Sequence, residues 1–237
     1  MFLVSEKPKR SQLSISLIAL PFLCLALGTC LLSAADLSSY RGFQFGMNLS
    51  RAADLAGMKP TEAKAEYQRP ALIQVLDFQP NLFHSAAAKG DPVSAITLSF
   101  LDDELFRMAV VYDRYKVEGM TTEDMIQALS ASYGTATRPK AEIAYHSYYG
   151  ESAPVIARWE DSEYSYNLIR AEDRSSFAIV LYSKALDTRA QTAITEAARL
   201  DALEAPQKEA ARLSKQAAEN QMEQEKARLA NKASFRP

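Results

Sequence analysis

The period of the apolar positions changes along the chain, and the changes mark out its elements. Leu49, Ala52, Ala53 and Ala56 recur at i, i+3, i+4 and i+7, which predicts a short helix after Gly46-Met47, with Asn48 as N-cap and Gly57 as its stop. Met125, Ala128, Leu129 and Tyr133 form a second apolar face after Gly119-Met120. There Thr121 and Asp124 have the capping-box spacing, Met120 can staple onto Met125, and Gly134 ends the pattern. Elsewhere the period is two. In 71–78, Leu72, Leu76 and Phe78 fall on one side and Ile73 and Val75 on the other. Ile96, Leu98 and Phe100 alternate with Thr97 and Ser99, and Leu101-Asp102-Asp103-Glu104 turns the chain into a strand over 105–112. A second hairpin runs from Val155 to Trp159, turns at Asp161-Ser162-Glu163 and returns through Tyr164, Tyr166 and Leu168. Strands over 143–149 and 177–182 complete the set. The expected fold is α+β: an antiparallel sheet of about seven strands with two short helices and a C-terminal helical tail.

Both ends depart from this texture. Lys7, Lys9 and Arg10 precede an uncharged run from Ser11 to Ala35 rich in leucine, the arrangement of an export signal. Ser33-Ala34-Ala35 supplies small residues before a cut, so processing after Ala35 is expected, leaving Asp36 first. Two alternatives stand beside it. The run is long enough to cross a bilayer as an uncleaved anchor, and Cys30 stands in a loose lipid-attachment context, with Thr29 where Gly or Ala is usual. Cys24 and Cys30 both lie in this run, so its removal leaves no thiol for a disulfide, a metal or a nucleophile.

From Lys184 onward the chain is dense in Ala, Glu, Gln, Lys and Arg. Glu196 with Arg199, Glu204 with Lys208, Glu209 with Arg212 and Glu225 with Arg228 stand at helical spacing. Ile194, Leu200, Leu203, Leu213, Met222 and Leu229 do not sustain a heptad, and Pro206 predicts a break into two pieces. The chain therefore divides into a signal segment 1–35, a folded domain 36–183 and a tail 184–237. The tail, from Asp187 onward, is expected to be dispensable for folding, as a solvated helix that is partly frayed or disordered, or as a coiled-coil or partner-binding arm.

The order of elements suggests an internal repeat, since Gly46-Met47 and Gly119-Met120 each open a helix closed by glycine and followed by strands with an acidic hairpin. Phe45-Gly46-Met47, and Gly119-Met120-Thr121-Thr122-Glu123-Asp124-Met125 through Leu129 to Tyr133-Gly134, resemble the helix openings of small bacterial envelope domains of the SmpA/OmlA (BamE-like) type. Tandem copies would resemble the β-lactamase-inhibitor-protein arrangement. The resemblance implies helices packed on an antiparallel sheet and a binding or scaffolding role. The usual Leu-Gly-x-Pro ending of that family stands here as Tyr133-Gly134-Thr135-Ala136.

Charge and chemistry narrow the function. Net charge is −2 over the whole sequence; residues 1–35 carry three basic residues against Glu6, so the remainder carries −4. That mild acidity weighs against nucleic acid, or an anionic membrane, as a general partner. His84 and His146 lie far apart without the spacing of paired ligands. Asp102, Asp103 and Glu104, like Glu160, Asp161 and Glu163, lack calcium-loop spacing and suit hairpin tips. No nucleophile elbow, phosphate loop or dinucleotide fingerprint is present, so no catalytic residue, metal or cofactor is expected. The remaining candidates are aromatic. Tyr145, Tyr148, Tyr149, Trp159, Tyr164 and Tyr166 fall on adjacent predicted strands and would suit a binding face, with simple core packing as the competing reading. The expected function is that of an exported, non-enzymatic binding or scaffolding module of the cell envelope, partnered by an envelope or secreted protein, with membrane contact only if the N-terminal segment is retained. An enzyme of unrecognised class and a membrane-anchored structural protein are the alternatives.

Overall fold

The computed structural model describes residues 1–2, 35–80, 90–144, 152–170 and 176–236. Two units separate along the chain, Met1–Ser33 and Ala34–Pro237. The fold set out below is that of the second.

It opens with a two-stranded hairpin, β1 (Ser39–Tyr40) and β2 (Phe43–Gln44), then helix α1 (Leu49–Ala56) and a single 3-10 turn (Pro60–Glu62). Strands β3 (Lys64–Tyr67), β4 (Ile73–Phe78), β5 (Val93–Leu101) and β6 (Glu104–Tyr112) follow, and then helix α2 (Thr122–Tyr133). A small hairpin, β7 (Glu142–Ala144) and β8 (Ser152–Pro154), precedes β9 (Ala157–Glu160), β10 (Tyr164–Arg170) and β11 (Phe177–Ser183), and helix α3 spans Lys184–Ser234. The expected α+β fold is present. Seven strands form one antiparallel sheet in the order β3-β4-β5-β6-β11-β10-β9.

Apart from β3 at one edge, that order is symmetric about the junction of β6 with β11. β4, β5 and β6 are mirrored in the list by β9, β10 and β11, each set follows a helix, and the two sets join through β6 and β11. Two helix-plus-three-strand units therefore share one sheet, so each closes an edge of the other that it would otherwise leave bare. Gly46 and Gly119 hold equivalent places before the two helices with φ of +80° and +76°. No atom crowds a Cβ at either, so glycine is needed there for the backbone angle rather than for space. The acidic hairpins do not correspond: Asp102-Asp103 joins the second and third strands of its unit, whereas Asp161–Glu163 joins the first and second of the other.

Both helix starts follow the sequence. The Asn48 side chain accepts from the backbone N–H of Arg51, and Gly57, at φ 69°, closes α1 in the left-handed conformation. Thr121 and Asp124 form a reciprocal capping box, with Thr121 N–H donating to Asp124 at 2.8 Å and Asp124 N–H donating to Thr121 Oγ1 at 3.2 Å. Thr121→Ala is expected to destabilise the domain by about 1 kcal/mol, the usual loss at an N-cap. A denaturant midpoint unchanged from wild type would show that the cap contributes nothing.

One sheet face carries Leu76, Phe78, Leu98, Phe100, Met108, Trp159, Tyr166 and Leu168, and α1, α2 and the N-terminal hairpin cover it. The opposite face has two covers. The β7–β8 hairpin brings Ile143 over Ile169, Ala178 and Val180. α3 lays Ala190, with Leu186 and Ile194, against Ile73, Leu101 and Phe106. The expected domain end at 183 is therefore too early, and the expected dispensability of the tail from Asp187 is not what the packing supports: Ala190 and Ala197 are fully buried. Small residues hid this. Leu186 and Ile194 stand alone among alanines, which let the helix backbone approach the sheet closely, so no continuous face of large apolar side chains signals the contact.

α3 is also one helix. Pro206 lies inside it without dividing it. The residue four positions earlier, Ala202, is exposed, so the carbonyl that proline leaves without a partner can be hydrated. Ion pairs bracket the site: Lys208 reaches Asp201 and Glu204, and Arg69 reaches the same two carboxylates from before β4. Hydrogen bonds from Arg69, and then Lys208, draw the Glu204 carboxyl down to about 2.

A second clamp holds the N-terminal hairpin. Arg41 has φ 52° in the turn between β1 and β2, and its guanidinium meets Asp91 through two hydrogen bonds of 2.6 and 2.8 Å. Asp91 also accepts from the Val93 N–H at 2.8 Å. Arg41 above all holds the Asp91 carboxyl below its ordinary value of 3.8. A depressed carboxylate stabilises the fold above its unfolded pKa and loses that contribution as pH falls through the folded one. Asp91→Asn is thus expected to be less stable than wild type at neutral pH, with the gap closing as pH drops below the ordinary aspartate value. A gap constant across that range would mean that the charge plays no part.

Candidate functional site

Of the six aromatic residues expected to form a binding face, three fall among the described residues, and two of these lie in the core. Tyr145, Tyr148 and Tyr149 lie outside the described residues, as do His84 and His146. Trp159 and Tyr166 face each other across β9 and β10 as expected, but both are buried in the core, at 1% and 0% exposure. Tyr164 is half-buried and stacks on Phe45 at 5.3 Å between ring centroids. The physical reason is the two-layer build: α2 comes down on this end of the sheet, and the rings fill the space beneath it.

The polar ends of Trp159 and Tyr166 have structural partners. Trp159 Nε1–H donates to the Gly134 carbonyl at 3.0 Å and to Ser130 Oγ at 3.2 Å, fastening the C-terminal end of α2 to the sheet. Tyr166 donates its hydroxyl to the Ser39 carbonyl at 2.7 Å. Tyr133 sets its edge on both rings, at 6.2 Å from Trp159 and 5.0 Å from Tyr166. Burial pushes the phenols of Tyr133 and Tyr166 up, and raises Tyr40 to about 12. Trp159→Phe keeps the ring and removes the indole donor, so it should cost about 1–2 kcal/mol of stability, as for a neutral hydrogen bond lost from a buried acceptor. Unchanged stability with lost partner recovery would restore the binding-face reading.

The acidic tips are likewise engaged. Asp102 and Asp103 both take positive φ, at 48° and 71°, in the two-residue turn between β5 and β6. Asp103 accepts from the Leu49 N–H at 2.9 Å at the start of α1, where the helix dipole favours a carboxylate. Asp102 accepts from the Leu72 N–H at 2.9 Å, while its own N–H donates to the Leu72 carbonyl at 2.8 Å. The tip thus docks α1 and β4 together. Asp161 accepts from the Glu163 and Tyr164 N–H groups, both at 2.7 Å. Among the described residues, no three His, Cys, Asp or Glu side chains converge as metal ligands would.

One feature went unread in the sequence, and a second was read without its bounds. The first is a buried ion pair. Arg107, at 5% side-chain exposure, lies on β6 beneath the start of α3, with Asp187 2.7 Å away. Its Nη1 donates to the Ala144 carbonyl at 3.0 Å, and its guanidinium lies over the Tyr182 ring at 5.6 Å. Burial pushes the Asp187 carboxyl up against the opposing pull of Arg107. A charged residue between Phe106 and Met108, inside an apolar run, was the available signal.

The second is the far part of α3. From residue 205 to residue 236 every position is exposed. Leu213, Met222, Leu229 and Phe235 are more than half exposed, at 52, 59, 54 and 71%. At about 1.5 Å per residue the helical part reaches about 45 Å. Only local pairs support it, such as Glu209 with Arg212 at 2.7 Å and Lys215 with Glu219 at 3.9 Å. It is the one large exposed element among the described residues that packs on nothing else in the chain.

No family model, curated protein or solved structure matches this chain.

Proposed function

We propose that this protein is an exported, non-enzymatic binding or scaffolding module of the cell envelope, in which the sheet domain is a rigid head and residues 205–236 are the arm that makes the contact. The observation that carries the reading is the arm itself. A helix polar on most sides, exposed throughout and held by ion pairs worth a few tenths of a kcal/mol each gains little from folding alone, so its use lies in what it reaches. The engagement of the aromatic cluster and the acidic tips in packing and docking further supports a stable head over a chemical site. The resemblance of the Gly-Met helix openings to SmpA/OmlA-type domains, in tandem as in β-lactamase-inhibitor protein, fits the same role.

Export rests on the basic residues before the apolar run and on Ser33-Ala34-Ala35, which Asp36 separates from the buried Leu37. The test is cell fractionation of the full chain beside one ending at Glu204, with N-terminal sequencing of the product. The reading expects a product beginning at Asp36, held in the envelope fraction by the full chain and released when the arm is absent. Retention that does not depend on 205–236 would sink the arm as contact surface, and an intact Met1 would favour an anchored protein.

A further inference from the structure

We propose that the distal part of α3 docks on an anionic lipid surface, resting on the reading of 205–236 as a contact arm. The net charge of the chain conceals a segregation. Residues 36–204 hold 24 acidic and 17 basic side chains, a net −7, whereas 205–237 hold four acidic and seven basic, a net +3. The last acidic residue is Glu225; Lys226, Arg228, Lys232 and Arg236 follow it. Glu225 pairs with Arg228. Lys226, Lys232 and Arg236 make no ion pair among the described residues.

The apolar positions are arranged to match. Ala211, Ala218, Met222, Leu229 and Ala233 follow each other at spacings of seven and four, an 11-residue repeat that keeps one stripe nearly straight along a helix. All five are exposed. At 3.6 residues per turn, Lys226 and Lys232 stand on opposite sides of the stripe, where long aliphatic stems can lie along an apolar surface while the ammonium groups reach outward. Phe235, 71% exposed, lies just past the last turn. With alanine at three of its five positions and Glu225 on the same side as Met222 and Leu229, the stripe is only weakly apolar, so Lys226, Lys232 and Arg236 supply most of the attraction, to the phosphates of the surface. Among the described residues no helix is long and apolar enough to cross a membrane, so the contact is docking on a surface.

The length of the helix resolves the electrostatic conflict. A head of net −7 is repelled by an anionic surface, but Glu204 and Lys226 are about 33 Å apart along α3, several times the screening length of about 8 Å at physiological salt. The basic end can therefore touch such a surface while the acidic head stands beyond its field. The same segregation is of no use on a neutral surface.

The test is co-sedimentation of the full chain, beside the chain ending at Glu204, with vesicles of phosphatidylcholine alone and of phosphatidylcholine mixed with phosphatidylglycerol, read as the ratio of the two affinities for each chain, so that the contribution of 1–35 with Lys7, Lys9 and Arg10, common to both chains, cancels. The proposal expects a preference for the anionic vesicles that high salt abolishes. Each basic side chain near such a surface is worth about fivefold, so Lys226→Gln, Lys232→Gln and Arg236→Gln together should lower the preference about a hundredfold. All three positions are exposed, so an unchanged melting curve controls for folding. Equal binding to both vesicle types, or a preference that survives the triple change, overturns the proposal. So does a dimer in solution that the triple change dissolves without any lipid preference, which would assign the arm to a second copy of the chain. If the envelope holds the protein through 205–236 but vesicles do not, the arm is still the contact and only the lipid assignment fails.

Discussion

A chain shortened to residues 36–186 is expected to lose its cooperative melting transition, whereas one ending at Glu204 should melt with the full protein. The difference lies in the first five turns of α3. Of the residues missing from the shorter chain, Ala190 and Ile194 lie over Ile73, Leu101 and Phe106 beside Leu186, which both chains keep. Uncovering side chains of that size costs about 1.5–3 kcal/mol each. Three of them approach the whole stability of an ordinary domain, about 5–15 kcal/mol. The shorter chain also strips Arg107 of its counter-ion. Beyond Glu204 nothing is buried, so removal of 205–236 takes away no packing. Calorimetry of the two truncated chains decides the matter. If the 36–186 chain melts like the 36–204 chain, the packing of α3 on the sheet contributes nothing.

Asp187→Ala is the point substitution expected to cost most, about 3–5 kcal/mol, because it leaves the Arg107 guanidinium buried without a carboxylate. The Ala144 carbonyl and the Tyr182 ring remain as partners but carry no full charge. An apolar pair at the same places, Arg107→Met with Asp187→Leu, should recover most of the loss, since a buried pair costs its own desolvation and its complete replacement is often neutral. Denaturant midpoints of wild type, the single variant and the double variant measure this. A double variant as unstable as Asp187→Ala would mean that the site depends on Arg107 itself, through its hold on β7 at Ala144. The sign of the titration gives a further reading. The folded-state pKa of Asp187 is raised, so its contribution is fully present below the ordinary aspartate value and declines as pH rises through the raised one.

Much of the fold is legible in local pattern. The helices at 49–56 and 122–133 come with their caps because a capping box and a glycine stop act within a few residues. The hairpins β5–β6 and β9–β10 come from alternation and turn chemistry, which are equally local. The repeat was legible as two Gly-Met openings, and the sheet order gives it a physical form.

What the sequence by itself determined, then, is the kind of most elements, and for the two short helices also their ends and the face that turns inward, because propensity, capping and period act between near neighbours in the chain. What only the tertiary structure decided is what covers what. Trp159 and Tyr166 alternate identically whether they face solvent or helix α2, so the choice between binding face and core waits on where that helix lands. Arg107 and Asp187 are 80 residues apart, and nothing local to either predicts the other. The division of α3 into a packed part and a free part depends on where the sheet ends beneath it, since the alanine-rich sequence reads alike on both sides of Glu204.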